Sequence, residues 1–295
     1  MSLGTGAAYA GLGFLAQRRL GAIEPIGRPG SPRFKLSLVG YSFRKYFTEQ
    51  DPAKRITLFD FIDYCADQGF TGAELTGYYF PQPLTEAGLI AVKRRAYLRG
   101  VAISGTSTRS DFAQLDRAKL GEQVASVKSW IRNAALLGAP YLRVFAGHGV
   151  DVQVKERKRA CIEGLEECAE YAGSQGIFLG MENDGGVTPN QTLDIVHGVK
   201  SPWFGLNLDL GNFHTDDIYR DVARCAPYAI NVHFKKEIQR AGRAAEPADI
   251  QRMLGILREA NYQGYLALEY EADADPYQVI PGWRKEVAAA LAVLG

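Results

Sequence analysis

Eight short, mostly apolar segments recur along the chain from residue 34 onward, and a polar turn follows each of them. They do not alternate between apolar and polar residues, which is typical of parallel strands covered on both faces. The eight segments are Lys35–Tyr41, Gly72–Leu75, Val101–Gly105, Tyr141–Phe145, Ile177–Glu182, Phe204–Asp209, Ala229–His233 and Gly264–Glu269. The pattern predicts eight strands of one parallel sheet.

Amphipathic helical patterns separate these strands. The predicted helices are Leu58–Gln68, Leu84–Arg99, Leu120–Leu137, Glu156–Gln175, Asp249–Ala260 and Glu286–Leu294. Several of them stop just before a glycine, such as Gly69 or Gly138, and glycine is a frequent left-handed cap after the last helical turn. In the first helix, the pattern places Phe59, Ile62 and Cys65 on one apolar face.

Eight strands that alternate with helices predict a single-domain α/β fold, the (β/α)8 TIM barrel, over residues 34–295. The competing fold is an open doubly wound sheet. That fold is less favoured because no GxGxxG follows the first strand and the chain contains no phosphate-binding P-loop. A barrel places its active site at the carboxyl ends of the strands.

Residues 1–33 differ in character from the predicted barrel. A short apolar run, Gly4–Ala16, precedes Arg18 and Arg19, and a stretch rich in glycine and proline continues to Pro32. A secretory signal carries its positive charge before the apolar run, and this run is short for a membrane span. We expect a flexible leader or a remnant of an export signal. A cytoplasmic location is favoured, and a periplasmic one stays open.

Composition and charge narrow the function. The chain has 34 basic and 33 acidic residues and a formal net charge of +1, which argues against a nucleic-acid partner and against attachment to an anionic membrane. None of the four cysteines lies in a CxxC pair, so a structural zinc site is not expected. Cys161 and Cys168, seven residues apart, are expected in the core. Only four histidines occur, so a site built from many imidazoles is excluded.

The last four predicted strands each end on a residue type that binds metal ions. These residues are Glu182, Asp209, His233 and Glu269. Three carboxylates and an imidazole at one barrel mouth would repel one another unless a cation relieves the repulsion. The oxygen-rich set suits one divalent ion, Mn²⁺ or Mg²⁺ first and Co²⁺ or Zn²⁺ after them. The alternative is that these are polar residues that emerge into water where strands end.

Other polar residues near strand ends are candidates for substrate binding. His148 follows strand four within FAGHG, and Glu74 ends strand two. Lys235 stands two residues after His233, so it points to the same side of an extended chain. Each of them has an ordinary structural role as its alternative. Arg143 lies within strand four and needs a carboxylate partner, for which we expect Glu182.

Aromatic residues also follow several strands. They are Tyr41, Tyr78, Tyr79, Phe80 and Trp283. Aromatic faces stack on sugar rings, but aromatic residues at the ends of loops are also ordinary packing, and the sequence leaves both roles open.

The runs MENDGG, LDLGNF, VHFKK and ALEYE resemble the sugar phosphate isomerase/epimerase group of xylose isomerase-like TIM barrels, from about Phe34 to the C-terminus. The resemblance implies that Glu182, Asp209, His233 and Glu269 bind one divalent metal ion. It also implies that the two glutamates exchange a proton with a carbon of a sugar or keto-sugar, through an enediolate whose charge the ion stabilises. Barrels of this kind often associate, which leaves a homo-oligomer open.

The sequence also departs from this family. Many of its ketose epimerases have a histidine three residues after the strand-six aspartate, where this chain has Asn212, with His214 two residues further on. The family position makes Asn212 a substrate-binding candidate. The nearest match to a family arginine after strand seven is Arg240. These departures leave a lyase or dehydratase acting on keto-sugars or keto-glycosides as the alternative. A non-catalytic carbohydrate-binding barrel and an endonuclease IV-like nuclease are less favoured.

Overall fold

The computed structural model describes residues 23–294, in which eight parallel strands close into one barrel. The barrel strands are β1 (Arg33–Val39), β2 (Gly72–Thr76), β3 (Ala102–Ser107), β4 (Tyr141–Phe145), β5 (Phe178–Glu182), β6 (Phe204–Asp209), β7 (Ala229–Lys235) and β10 (Gln263–Glu269). Each strand pairs with its neighbour in sequence, and β10 pairs with both β7 and β1 to close the barrel. The predicted TIM barrel is confirmed, with β4 and β6 spanning the predicted residues.

Ten α-helices of the described chain accompany the strands. They are α1 (Arg44–Phe47), α2 (Leu58–Asp67), α3 (Glu86–Leu98), α4 (Arg117–Leu137), α5 (Gly149–Val152), α6 (Lys155–Ser174), α7 (Pro189–Gly198), α8 (Ile218–Cys225), α9 (Ile250–Glu259) and α10 (Pro276–Leu294). Local sequence explains their ends: Thr57 and Asp60 form a capping box at the start of α2, and Gly138 adopts a φ of 79° after α4. A short antiparallel hairpin, β8 (Glu237–Gln239) and β9 (Ala245–Pro247), was not predicted.

The face that α2 buries matches the predicted one only in part. Leu58, Phe61 and Ile62 are buried together with Cys65, whereas Phe59 is 40% exposed. The predicted Ile62 and Cys65 lie on the buried face, but Leu58 and Phe61, and not Phe59, complete it. The side chain of Phe59 consequently remains at the surface. All four cysteines are buried and free, including Cys161 and Cys168 in the core, as expected.

The segment before β1 contacts the amino-terminal end of the barrel. The backbone N–H of Ile26 donates to Pro227 O at 2.9 Å, and the carbonyl oxygen of Arg28 accepts from Asn261 Nδ2 at 2.9 Å. Residues 1–22 of the expected leader lie outside the described residues. Within residues 23–294, no helix is both long enough and apolar enough to span a bilayer.

Candidate active site

Four adjacent strands of the barrel carry the predicted metal ligands to one point. Strands β5, β6, β7 and β10 are neighbours in the sheet, and their parallel register aligns Asp209 with His233 and Glu269 with Lys235. One potential ligand atom from each of Glu182, Asp209, His233 and Glu269 lies within 4.8 Å of the others, and all four side chains are buried. The structure thus brings together residues that are up to 87 positions apart in the chain, since 269 − 182 = 87.

His233 lies between carboxylates on both sides of its ring. Its Nε2 is 2.8 Å from Glu74 Oε1, while its Nδ1 is 2.8 Å from Glu182 Oε1 and 3.2 Å from Glu269 Oε2. Burial lowers the pKa of His233, but the three carboxylates outweigh burial and raise that pKa well above its ordinary value. Because a carboxylate accepts the proton of Nε2–H, the Nδ1 lone pair of a neutral His233 would face the other acidic groups.

Asp209 presents one satisfied and one unsatisfied oxygen. Its Oδ1 accepts from the backbone N–H groups of Gly211 at 2.8 Å and Asn212 at 3.1 Å. Its buried Oδ2 accepts no hydrogen bond from the described residues, although Lys235 Nζ lies 3.1 Å away as an ion pair. Burial raises the pKa of Asp209 to about 7, against the opposing effect of Lys235. A buried carboxylate oxygen that accepts no hydrogen bond is suited to coordinate a cation.

Two buried cations hold the glutamates. Arg143 Nε lies 3.1 Å from Glu182 Oε2, which is the partner expected from the sequence. Lys235 Nζ donates to Glu269 Oε2 at 2.7 Å and also contacts Glu271. Burial by itself would raise the pKa of both glutamates, but these cations and His233 hold the pKa of Glu182 below, and that of Glu269 well below, the ordinary value.

The charge of the cluster fits a divalent cation. Five carboxylates, those of the three acidic ligands and of Glu74 and Glu271, outnumber the three cations Arg143, Lys235 and protonated His233. Three carboxylates and one imidazole form the donor set expected for Mn²⁺ or Mg²⁺. The residues present therefore fit the predicted metal site.

Glu74 takes a different place from the expected substrate contact. It is the third of the five residues of β2, two residues before the end of the strand, and is only 1% exposed. One of its oxygens bonds His233, and the other accepts from Tyr141 Oη and, at 3.2 Å, from Asn231 Nδ2. Asn231 Nδ2 also donates to Tyr141 Oη at 2.6 Å and Asn207 Oδ1 at 2.7 Å. Glu74 thus faces the barrel interior and supports His233 from below.

A cavity of about 240 Å³ opens above this cluster. Asn212 and Lys235 line it, as do the carboxylates of Glu182 and Glu269. His148 is exposed and is not among the residues that line this cavity; its ring lies near Gly185. The structure therefore brings two of the four predicted substrate-binding residues, Asn212 and Lys235, to the cavity.

The remaining histidines and Arg240 lie elsewhere. His214 lines an adjacent cavity below the hairpin β8–β9, and the exposed His197 lies 2.9 Å from Tyr228 Oη. Arg240 Nε donates to Glu246 Oε1 at 2.7 Å within the hairpin.

The expected aromatic residues divide between the mouth and the core. Tyr41 and Tyr78 line the cavity, whereas Trp283 is buried in the core. Arg109 and Glu271 also line the cavity and were not predicted. Arg109 could have been found by looking for charged residues after each of the first four strands, because it follows β3. Glu271 could have been found from its spacing, since it lies two residues after Glu269 and therefore points to the same side of an extended chain.

Comparison with known proteins identifies the relatives of this fold. Residues 62–294 match the model of the family described as Xylose isomerase-like TIM barrel. Among curated proteins, none matches the sequence significantly.

Several solved structures share the fold at low sequence identity. D-psicose 3-epimerase with D-tagatose from Clostridium cellulolyticum H10 is 17% identical, with a TM-score of 0.65 and coverage of 88% of this chain and 97% of that one. A probable 3-DHS dehydratase from Bacillus anthracis is 18% identical, with a TM-score of 0.65 and coverage of 86% and 98%. A xylose isomerase-like TIM barrel protein from Mycobacterium smegmatis in complex with magnesium is 18% identical, with a TM-score of 0.65 and coverage of 87% and 96%.

Proposed function

We propose that this chain, which belongs to the xylose isomerase-like TIM barrel family, is a divalent-metal-dependent enzyme that removes a proton from a sugar carbon next to a carbonyl group. Membership of this family confirms the resemblance that the motifs at the strand ends indicate. The observation that carries the proposal is the convergence of four ligand atoms within 4.8 Å at the floor of a cavity. We assign the reaction to the isomerase and epimerase class, with a sugar or keto-sugar as substrate.

Glu182, Asp209, Nδ1 of His233 and Glu269 would hold one divalent ion, Mn²⁺ or Mg²⁺. When bound, the ion would stabilise negative charge that develops on the carbonyl oxygen of the substrate. Two features support this assignment: the buried Asp209 Oδ2 accepts no hydrogen bond from the described residues, and the cluster has an excess of carboxylates over cations. Glu74 would keep the proton of His233 on Nε2, so that Nδ1 can act as a ligand.

Glu182 and Glu269 are the proposed acid/base pair. They enter the cavity from β5 and β10, with β6 and β7 between them, so a sugar bound there could meet a carboxylate from either side. Their lowered pKa values keep both ionised at neutral pH, so either can accept a proton. Return of the proton to the opposite face of the same carbon gives epimerisation. Its return to the neighbouring carbon gives isomerisation.

Arg143, Lys235 and Asn212 would position the groups that react. Arg143 fixes the carboxylate of Glu182, and Lys235 fixes that of Glu269, which limits the orientations of both. The side chains of Lys235 and Asn212 also line the cavity, where an ammonium and an amide can bind hydroxyl and carbonyl oxygens of a sugar.

A lyase is the second candidate, and Asn212 is the observation that favours it. An amide neither takes up nor releases protons, and it occupies a cavity position where many epimerases of this family have a histidine. In such a reaction, a glutamate takes the proton from the carbon next to the carbonyl. The electron pair of the C–H bond then forms a C=C bond, and an oxygen substituent on the next carbon leaves. A nuclease has less support, since His233 is the one histidine in the ligand set, and a non-catalytic barrel has less support because all four ligand-type residues converge.

Proton exchange in D₂O tests the proposal. A panel of ketoses, keto-inositols and keto-glycosides would be incubated with the full chain and Mg²⁺, and the reactions would be followed by NMR. We expect deuterium to replace hydrogen at one carbon next to a carbonyl group, and the product formed separates epimerase, isomerase and lyase. If the metal-loaded chain exchanges no proton in any of these compounds, the proposed chemistry is wrong. Metal analysis and a nuclease assay on the same sample test the remaining alternatives.

A further inference from the structure

A second and larger cavity, of about 830 Å³, lies beside the candidate active site. The segments that follow β1, β2 and β3, together with the first turns of α2 and α3, form its walls. Tyr41, Tyr78 and Arg109 line both this cavity and the cavity above the carboxylates. The two spaces therefore adjoin along these three residues, and one molecule could occupy both.

The larger cavity is mostly apolar, although Arg44, Arg55 and Arg109 line part of it, whereas acidic groups line the smaller one. Phe47 and Tyr79 stack in its wall with ring centroids 4.3 Å apart and an interplanar angle of 5°. Phe59 and Leu84 contribute further apolar surface, and none of the described residues that line this cavity is acidic. By contrast, four carboxylate side chains line the smaller cavity. The larger space is therefore suited to an apolar, aromatic group and not to a second sugar with many hydroxyls.

The exposure of Phe59, which lines this cavity, is consistent with a ligand there. Phe59 is the second residue of α2, yet its ring is 40% exposed while its neighbours Leu58 and Phe61 are buried in the core. An exposed aromatic side chain that forms the wall of a cavity can be covered by a bound apolar molecule, which would remove this surface from water.

We infer that the larger cavity binds an aromatic aglycone joined to the sugar in the active site, so that the substrate is a keto-glycoside of an aromatic alcohol. This inference rests on the proposed function, because it places the sugar in the smaller cavity. Both cavities have room for the assigned groups: about 240 Å³ admits one sugar unit, and about 830 Å³ admits a fused ring system. Arg109, which lies 4.8 Å over the ring of Tyr78 at the border, can donate to the oxygen that joins the two parts.

Two other occupants of the apolar cavity have less support. Residues 1–22 include an apolar run, but the described chain begins at the opposite end of the barrel, where Ile26 bonds Pro227. A second copy of the chain would cover the apolar cavity without using its border with the active site. Either occupant would keep a glycoside out, so both are outcomes of the test below.

The test compares two glycosides that differ only in the aglycone. Isothermal titration of the full chain in the presence of Mg²⁺ would measure the binding of 2-naphthyl and methyl β-D-glucopyranoside, which have no carbonyl group and serve as unreactive analogues of a keto-glycoside. We expect the naphthyl compound to bind at least about tenfold more tightly, because the aromatic group buries apolar area. Equal affinities would overturn the inference, and so would failure of the naphthyl compound to bind because the chain itself fills the cavity.

Two variants and a matched control locate the site. Phe59→Ala removes an aromatic wall and Leu84→Trp reduces the volume, and each should lower naphthyl binding about tenfold without changing methyl glucoside binding. Tyr97→Ala removes an aromatic side chain that is 84% exposed on α3 and outside the lining of the cavity, and should leave both affinities unchanged. An equal loss in Tyr97→Ala would show non-specific adsorption and overturn the inference. Circular dichroism checks that each variant is folded.

The binding test separates this inference from the proposed function. The preference for the naphthyl compound should survive in Glu182→Gln, because the apolar cavity is intact in that variant. If the preference is present but no sugar exchanges a proton in D₂O, the proposed function fails and the aglycone site stands. If free sugars exchange protons but the naphthyl group adds no affinity, the aglycone site fails and the proposed function stands.

Discussion

The two halves of the barrel mouth are built in different ways. Around the ends of β5, β6, β7 and β10, charged side chains on the strands themselves converge within 4.8 Å. After β1, β2 and β3, aromatic side chains on the connecting segments enclose a mostly apolar space of about 830 Å³. Strands hold side chains more rigidly than connecting segments do, which suits groups that must react. Connecting segments can vary without disturbing the barrel, which suits groups that recognise a substrate.

The halves also differ in what stabilises them. The charged half buries carboxylates that repel one another, so it should depend on a cation to balance them. The apolar half consists of aromatic contacts such as Phe47 on Tyr79, which need no ion. Changes in the first half should therefore alter chemistry and metal binding, and changes in the second should alter neither.

The largest effect is expected from the proposed acid/base pair. Glu182→Gln or Glu269→Gln should reduce turnover by about 10²–10⁴-fold, because a neutral amide cannot take up the proton. Proton exchange in D₂O measures this loss, and circular dichroism shows whether the variants are folded. Glu163→Gln, the same change in an exposed ion pair on α6, should keep the wild-type rate. Near-normal exchange in either site variant would contradict the two-carboxylate mechanism.

The next effect concerns metal affinity. Glu74→Gln should weaken Mn²⁺ binding by about 10–100-fold, because a glutamine amide can donate to His233 Nε2 and place the ring proton on Nδ1. Titration calorimetry of the metal-free protein measures the affinity without reference to turnover. Phe59→Ala, in the apolar half, should bind Mn²⁺ like the wild type. Unchanged affinity in Glu74→Gln would mean that this carboxylate does not orient His233.

A third effect is the pH dependence of metal binding. The pKa of Asp209 is raised from 3.8 to about 7, so the metal-free protein favours its protonated form. This preference stabilises the metal-free protein below pH 4, and the contribution is lost as the pH rises through about 7. A cation must displace this proton and the proton on Nδ1 of His233, so affinity for Mg²⁺ should rise below pH 7 by about tenfold per pH unit for each proton released.

Calorimetry in buffers of different ionisation enthalpy would detect the released proton. Asp209→Asn should bind Mg²⁺ more weakly and with a shallower pH dependence. Naphthyl glucoside binding to the metal-free protein, which depends on the apolar half, should change little over the same range. If Mg²⁺ affinity is flat between pH 5.5 and 7, Asp209 binds no proton in the metal-free protein.

The smallest effect is expected from Phe59→Ala on folding. Because its ring is 40% exposed, truncation should lower the free energy of unfolding by less than about 1 kcal/mol. Phe61→Ala is the matched change on the same helix at a residue that is 1% exposed, and should lower it by about 3–5 kcal/mol. Urea unfolding measures both. Equal losses would indicate that Phe59 belongs to the core and not to a binding surface.

Local pattern explains most of what could be predicted. Runs of apolar residues and the glycines after helices indicate strands and helices, because they depend on neighbours within a few positions. The cluster at the mouth was predictable for a related reason. Parallel strands of one barrel end at the same side, so a ligand-type residue at the end of each, such as Asp209 and Glu269, implies proximity once the fold is known.

The sequence by itself determined the order of strands and helices and the residue types that end the last four strands. Only the tertiary structure decided that Glu74 supports His233 from below, that Tyr141 and Asn231 complete this network, and that α2 leaves Phe59 at the surface. The same holds for the apolar cavity. These features depend on the rotation of each helix against the barrel and on contacts between residues as far apart as Glu74 and His233, which no local pattern of apolar and polar residues specifies.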